Sequence, residues 1–294
     1  MYIISHFLNE EFLLPYWLKH HVPMFDHGIM IDYGSSDASV DIIQELAPDW
    51  EIRRTKVEKF EEPFIGLEIQ DIEQELPTHS WKVALNTTEF LVCPDLRTFI
   101  EEFEEEFPAL PGFRTTGIVM VDSPEEQGRP LTSEFLLLQR KHGVVEQLGC
   151  QNVVTGKWGP SRCRFVHRLP HGGYSYGRHM TNYQYALGAI DRKYTAGQYW
   201  WKNSSDGILG FERWIGTHPE IFVSWFGRYC PFESIKKRTA YFDFCIPRKS
   251  FIEGRIPSSP DDLSVLEEEL MQVRLRAYNL EEKVPLYGSY LEVL

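Results

Sequence analysis

The first half of the chain alternates short apolar runs with stretches in which apolar residues recur at helical spacing. Residues 2–7 (YIISHF) and 28–33 (GIMIDY) have the length and composition of buried strands. Between them, Phe12, Tyr16 and His20 mark the apolar stripe of a helix. Strands that alternate with helices indicate βαβ units, so the sequence predicts an α/β protein with a mostly parallel central sheet flanked by helices.

The same patterns predict where the other elements begin and end. Asn9 is expected to cap the first helix, whose start Pro15 makes irregular. Ser36 or Asp37 is expected to cap a second helix that ends at Leu46. Further strands are expected at residues 51–57, 81–85, 113–121, 162–168 and 194–201, and further helices at residues 67–76, 101–106, 206–216 and 263–280.

A proline-serine stretch divides the chain near its end. The sequence PSSP occupies residues 257–260, and a helical pattern follows it. We therefore expect one large domain over residues 1–257 and a helical C-terminal tail over residues 258–294. Within the domain, the alternating pattern loosens beyond residue 125, so residues 1–125 and 126–257 are expected to form two halves.

The net charge and the cysteine content exclude some classes of protein from the expected functions. A formal net charge of −13 argues against a nucleic-acid binder, which needs a basic face. The five cysteines include no CxxC pair, which is typical of a reducing compartment without disulfides or structural zinc. Neither a signal peptide nor an apolar stretch of the roughly 18 residues that span a bilayer is present, so we expect a cytoplasmic protein without a membrane anchor.

Polar and acidic residues stand at three predicted strand ends, at residues 6–10, 32–37 and 86–89. Taken alone, each group contains polar residues that commonly form loops and helix caps. The carboxyl ends of parallel strands meet at one edge of an open α/β sheet, where ligands bind. The three groups together therefore predict a shared ligand site.

Three runs carry a resemblance to a known family: ISHFLNEEFLLPYWLKHH, FDHGIMIDYGSSDAS and WKVALNTTEFL. In order and spacing they resemble the N-terminal half of GT-A glycosyltransferases related to glycosyltransferase family 2. Those proteins show a strand followed by NEE, a strand ending in DNGSTDGT, and a strand ending in an aspartate-x-aspartate motif followed by EF. Downstream, SRCRFVHRLPHGGYSYGRH resembles a pattern of some soluble members. Soluble members include transferases that large algal viruses encode, so the host cytoplasm is the expected location if this protein is viral. The resemblance also implies that residues 1–125 form the donor-nucleotide half of the domain and residues 126–257 the acceptor half.

The resemblance implies that a hexosyl or pentosyl group moves from a nucleotide sugar to a glycan or glycoprotein acceptor. A UDP-sugar is the expected donor. His6 and Asn9 in the first loop, with Asp32 and Ser35 in the second, match the positions that hold the base and ribose. A strand-end carboxylate such as Asp32 can accept charge-assisted hydrogen bonds from an N–H or a hydroxyl group. Its structural alternative is to stabilise the turn at Ser35.

The sequence departs from the family at the metal motif. The aspartates of the family hold Mn²⁺ or Mg²⁺ against the diphosphate, because hard cations prefer carboxylate oxygens. Asn86 and Thr88 stand in their places and are assigned to donor binding, so Glu89 is the only carboxylate of this turn. Either Glu89 and His179 hold a divalent cation together with the diphosphate, or arginine and lysine supply the counter-charge. We expect a weakly held metal.

The segment of residues 162–179 combines arginines, histidines and glycines. Arg164 or Arg178 is predicted to clamp a phosphate through its planar guanidinium group. His179 is predicted to bind the metal or to steady the departing phosphate. His20, His21 and His27 are assigned to packing.

An inverting transfer needs a general base beside the acceptor hydroxyl. Asp206 is the preferred candidate, with Asp191 and Glu212 as alternatives, and a retaining mechanism stays open. A second function hypothesis is a sugar-binding protein that kept the fold with weak or no turnover, which the neutral Asn86 and Thr88 motivate. A sugar-nucleotide pyrophosphorylase is disfavoured, because SHFLNEE is not a Gly-rich basic loop.

Overall fold

The computed structural model describes residues 1–57, 62–108, 111–126, 129–146, 164–175, 178, 180–181, 221–227, 230, 271, 273–275 and 277–283. Strands and helices are numbered in chain order within these residues. The helices are α1 (Leu14–His21), α2 (Ser39–Leu46), α3 (Glu62–Glu75), α4 (Leu96–Glu106), α5 (Leu136–Gln139) and α6 (Leu280–Lys283).

The central sheet of the described chain has six strands. They are β1 (Tyr2–Phe7), β2 (His27–Asp32), β3 (Glu51–Arg54), β4 (Lys82–Asn86), β6 (Gly112–Arg114) and β9 (Phe165–His167). Their order in the sheet is β3-β2-β1-β4-β9-β6. The first four strands are parallel, and β9 runs antiparallel to both of its neighbours. The predicted α/β class with a mostly parallel central sheet is confirmed.

A second sheet and a short hairpin complete the described strands. The second sheet has the order β13-β8-β7-β12-β5, and β10 pairs with β11. These strands are β5 (Glu89–Val92), β7 (Thr116–Met120), β8 (His142–Glu146), β10 (Tyr174–Ser175), β11 (Met180–Thr181), β12 (Phe222–Trp225) and β13 (Tyr278–Asn279).

Alternation along the central strands buries the two faces of the sheet in two separate apolar cores. Ile3, Met30 and Val83 belong to the larger core, together with residues of α1 and α2. Ile4, on the opposite face of β1, belongs to the smaller core, together with residues of α3 such as Ile65. Successive strand residues point to opposite faces, so a strand buried on both sides must be apolar throughout. This arrangement explains the apolar runs of the sequence.

The predicted cap of the first helix is wrong. Helix α1 begins at Leu14, so Pro15 lies in its first turn, where a missing backbone N–H costs nothing. Asn9 instead has a left-handed backbone with φ of 51°. The residues between them form a turn in which Leu13 and Leu14 donate to the carbonyl oxygen of Glu10.

Further predictions need correction. Helix α2 begins at Ser39 with Ala38 at its N-cap, so neither Ser36 nor Asp37 is the cap residue that the sequence predicts. The strand expected at residues 113–121 is broken at Thr115, which exchanges hydrogen bonds with Arg164 at the point where the chain passes from one sheet to the other. The tail is not wholly helical, because Tyr278–Asn279 form β13, which pairs with β8. The elements predicted at residues 194–201 and 206–216 lie outside the described residues.

Among the residues that the structure describes, no helix is both long enough and apolar enough to cross a bilayer.

Candidate functional site

The order of the central strands reverses at β1, which separates β2 and β3 on one side from β4 on the other. Ligands of open α/β sheets bind in the crevice outside the carboxyl ends of the strands at such a point. The parallel register places His6 beside Asn86, and Phe7 beside Asp32. Three of the predicted donor-binding residues therefore lie at the carboxyl ends of adjacent strands.

Asp32 organises the turn that follows β2. Its Oδ1 atom accepts hydrogen bonds from the backbone N–H groups of Gly34 (2.9 Å) and Ser35 (2.8 Å). Its Oδ2 atom accepts from Nη1 of Arg54 at 2.9 Å. The turn-stabilising role of Asp32 is thus present in the structure, and its role toward a ribose or base stays a prediction.

The loops after β1 and β2 are joined by side-chain hydrogen bonds. Asn9 Oδ1 accepts from the Ser36 backbone N–H at 2.8 Å, and the Asn9 N–H donates to Ser35 Oγ at 3.0 Å. Two more hydrogen bonds join the same loops: the Glu11 N–H donates to Asp37 Oδ2, and the Ala38 N–H donates to Glu11 Oε2. Asn9 and Ser35 therefore shape the rim of the crevice.

Replacing Asn9 by alanine is expected to destabilise the protein more than replacing it by glycine, by about 1 kcal/mol. Both variants lose the bond to Ser36, but only alanine is strained at a positive φ. Urea unfolding of the two variants measures the difference. Alanine normally stabilises a chain relative to glycine, so an alanine variant of equal or greater stability would contradict the left-handed geometry.

Glu89 and Arg164 form a completely buried ion pair. Arg164 Nε donates to Glu89 Oε2 at 2.6 Å, and its Nη2 donates to Oε1. The turn before β5 supplies further donors, because the Asn86 N–H lies 2.7 Å from Oε2 and Asn86 Nδ2 lies 3.3 Å from Oε1. Arg164 directly precedes β9 and Glu89 begins β5, so the pair connects the two sheets.

Arg178 reaches the end of β4 from the segment after β10. Its Nη2 donates to Asn86 Oδ1, its side chain is almost fully buried, and its backbone is left-handed with φ of 67°. Such backbone strain persists where surrounding structure fixes a residue, often at functional sites. Thr88, the other neutral residue of this turn, is buried, and its carbonyl oxygen accepts from the Phe226 N–H at 2.7 Å.

The wall of the crevice on the α3 face is aromatic and acidic. The rings of His6 and Tyr33 meet edge to face at 5.8 Å. The Tyr33 hydroxyl donates to Glu68 of α3 at 2.9 Å, and Thr55 Oγ1 donates to the same carboxylate oxygen at 2.7 Å. Burial raises the pKa of Tyr33, Glu68 raises it further, and the positive charge of Arg178 opposes this rise. Arg178 therefore lies near Tyr33 as well as Asn86.

A second buried network ties the segment that carries Arg178 to α3. Glu73 accepts from the Tyr174 hydroxyl and, at 2.7 Å, from the Gly172 N–H. His167 Nε2 lies 3.2 Å from Glu73 and 3.0 Å from the Tyr174 hydroxyl. Burial lowers the pKa of His167, and Glu73 partly offsets this effect. The network begins beside the amino end of β4, where His167 pairs with Lys82.

The described residues do not fit a carboxylate-bound metal at the turn of residues 86–89. Both carboxylate oxygens of Glu89 accept hydrogen bonds from Arg164 and Asn86. Within the described ranges, no group of three or more His, Cys, Asp or Glu side chains could hold a metal ion. His179 and the candidate bases Asp206, Asp191 and Glu212 lie outside the described residues, so their roles stay predictions.

Sequence reasoning missed three residues of the site, Arg54, Tyr33 and Glu68. Arg54 ends a third parallel strand, a position that the comparison of strand ends should have included. Glu68 interrupts the apolar stripe of α3 between Ile65 and Ile69, and a carboxylate within a buried stripe indicates a buried hydrogen-bond acceptor. By contrast, the packing role of His20 and His21 is confirmed, because both are buried against β5. The same assignment is wrong for His27, whose side chain is exposed.

Comparisons with known proteins give remote structural similarities. No protein-family model and no curated protein matches the sequence. TarS of S. aureus (residues 1–349) is similar over 94% of this chain and 70% of that chain, with 9% identity and a TM-score of 0.34. The mannosyltransferase PcManGT of Pyrobaculum calidifontis, in complex with GDP-Man and Mn²⁺, is similar over 99% of this chain and 73% of that chain, with 12% identity and a TM-score of 0.34. TM-scores of this size assign neither a family nor an activity.

Proposed function

We propose that the chain is a GT-A-type glycosyltransferase that moves a sugar from a nucleotide-sugar donor to a glycan or glycoprotein acceptor. One observation carries the proposal. His6, Asp32, Asn86 and Arg178 come together at the carboxyl ends of β1, β2 and β4, where the strand order reverses. A UDP-sugar is the donor that we propose first.

In this proposal, the nucleoside lies toward β2 and the diphosphate toward β4. Asp32 Oδ1 continues to accept the N–H groups of the turn. Asp32 Oδ2, which accepts from the largely exposed Arg54 in the structure, accepts instead from a ribose hydroxyl or a base N–H of the donor. The Arg54 side chain is 67% exposed, so water can solvate its charge when it leaves Asp32. His6 and Tyr33 provide ring surfaces beside the base. The rim formed by Asn9 and Ser35 fixes the two loops.

The acceptor side of the proposal rests on residues outside the described ranges. Asp206 would remove the proton from the acceptor hydroxyl, and His179 would steady the leaving diphosphate. Arg164 is withdrawn from the proposed phosphate-binding residues, because its guanidinium is fully buried against Glu89. Inversion and retention at the sugar carbon are both compatible with the described geometry.

Incubation with a panel of UDP- and GDP-sugars is expected to release nucleoside diphosphate from one donor. Asp32→Asn should weaken this release about tenfold or more, because the charge-assisted bond to the donor is lost. The asparagine still accepts the N–H groups of Gly34 and Ser35, so the turn is retained. Asp71→Asn, an exposed change on α3, is the matched control and should leave release unchanged.

A catalytically weak sugar-nucleotide binder is the second candidate. The neutral Asn86 and Thr88 and the paired Glu89 favour it, since they remove negative charge that a catalytic metal would need. The two candidates differ in a simple way. Donor binding by calorimetry without nucleotide release in the panel supports the binder, and absence of both binding and release contradicts both candidates.

A further inference from the structure

The turn between β4 and β5 has a charge arrangement that differs from a metal-binding turn. A carboxylate binds a cation through oxygen atoms that are free to coordinate it. In Glu89, one oxygen accepts from Arg164 and the Asn86 N–H, and the other accepts from Arg164 and Asn86 Nδ2. The negative charge of Glu89 is therefore neutralised by a guanidinium group inside the protein.

Recruiting Glu89 to a metal would leave Arg164 without its carboxylate in a fully buried position. Unpaired buried charges are strongly unfavourable, because neither water nor a counter-ion solvates them. Arg164 is also fixed by its backbone, which exchanges hydrogen bonds with Thr115. Glu89 is therefore expected to stay paired with Arg164 and not to bind a metal ion.

A second guanidinium group stands on the crevice side of the same turn. Arg178 donates to Asn86 Oδ1, and Asn86 occupies the first position of the turn. Its positive charge reaches both Tyr33 and Tyr174, since it lowers the pKa of each hydroxyl against the effect of burial. The Glu73 network holds the Gly172–Tyr174 stretch a few residues before it. Arg178 is therefore held by its own bond to Asn86, and the stretch that precedes it is held by Glu73.

We infer that Arg178 supplies the counter-charge for the diphosphate of the donor, so that nucleotide binding at the end of β4 requires no divalent cation. The inference rests on the proposed function. A guanidinium group offers several N–H donors in one plane and forms paired bonds with phosphate oxygens. Positioned beside the leaving diphosphate, the same charge stabilises the negative charge that develops there during transfer.

Calorimetric titration with UDP and with GDP, in excess EDTA and again in Mn²⁺, tests the inference. At least one nucleoside diphosphate should bind in EDTA with a dissociation constant no higher than in Mn²⁺. Arg178→Gln should weaken this binding about ten- to hundredfold, and Arg178→Lys, which keeps the charge, should recover part of the loss. Arg97→Gln, an exposed arginine paired with Asp26, is the control and should bind normally.

The outcomes separate the inference from the proposed function. If neither nucleotide binds under either condition, the proposed function fails. If binding appears only with Mn²⁺, or if Arg178→Gln binds as tightly as the native protein, the inference is overturned while the proposed function stands. Glutamine has the same intolerance of a positive φ as arginine, so a folding defect from the backbone is not expected, and circular dichroism of each variant checks this point.

Discussion

Replacing Arg164 by methionine is expected to lower the free energy of unfolding by about 3–5 kcal/mol. The change leaves the Glu89 carboxylate buried and, among the described residues, with the two donors of Asn86 as its remaining partners. Methionine fills much of the same volume, so the loss reflects the unpaired charge more than a cavity. Urea unfolding followed by circular dichroism measures the effect.

A double variant shows whether the pair itself is responsible. In Glu89→Gln combined with Arg164→Met, the amide still accepts the Asn86 N–H and no charge is buried, so the double variant should be more stable than Arg164→Met alone. Arg97→Met removes a largely exposed pair and should cost no more than about 1 kcal/mol. If the effects of Glu89→Gln and Arg164→Met simply add, the two side chains do not form the buried pair described here.

Acidification is expected to destabilise the protein through the two histidines of α1. The His20 Nε2–H donates to the Leu91 carbonyl at 2.8 Å, and His21 Nε2 accepts the Leu91 N–H at 3.1 Å. His21 Nδ1 must then carry the proton that bonds the Trp17 carbonyl. A second proton on His21 would face the Leu91 N–H, so the fold requires the neutral ring.

The pKa values set the direction and the range of this effect. Burial lowers the pKa of His20 to about 4. Burial, together with the neighbouring His20, lowers the pKa of His21 well below its usual value. The folded pKa lies below the unfolded value, so the unfolded chain binds more protons. The stabilising contribution is complete above about pH 6.5 and is lost as the pH falls toward 4, by about 3 kcal/mol for His20 alone.

Urea unfolding at a series of pH values, compared between the native protein and His20→Gln, measures this contribution. Glutamine can donate to the Leu91 carbonyl but does not titrate, so the variant should lose less stability between pH 6.5 and 4 than the native protein. The exposed His27 provides the control, since His27→Gln should keep the native pH dependence. Identical slopes for the native protein and His20→Gln would show that His20 is not held neutral.

The sequence predicted those parts of the fold that depend on local pattern. Strands β1, β2 and β4 are apolar on both faces because both faces are covered, and such runs are recognisable without knowledge of their partners. Strand β5 was not predicted, because its four residues directly follow the turn and pair with β12, far downstream in the chain. Short strands are defined by pairing across the fold, which local pattern does not contain.

The candidate site, like the fold, was predictable from the sequence only where it depends on local pattern. Strand-end residues such as His6, Asp32 and Asn86 come together because parallel strands align their carboxyl ends. The role of Arg164 was not predictable, because its partner Glu89 lies 75 residues earlier in the chain. From sequence alone, an arginine in a glycine-containing segment is predicted to bind phosphate, because the sequence does not reveal that its guanidinium group is buried. Arg178, later in the same segment, reaches the strand ends by donating to Asn86.

The most direct measurement is a crystal structure of the protein soaked with whichever nucleoside diphosphate binds most tightly in calorimetry. The nucleotide should lie across the carboxyl ends of β1, β2 and β4, with the ribose or base bonded to Asp32 and a phosphate oxygen about 3 Å from the Arg178 guanidinium. A nucleotide bound elsewhere on the molecule, with Asp32 and Arg178 keeping their present partners, would contradict the proposed donor site.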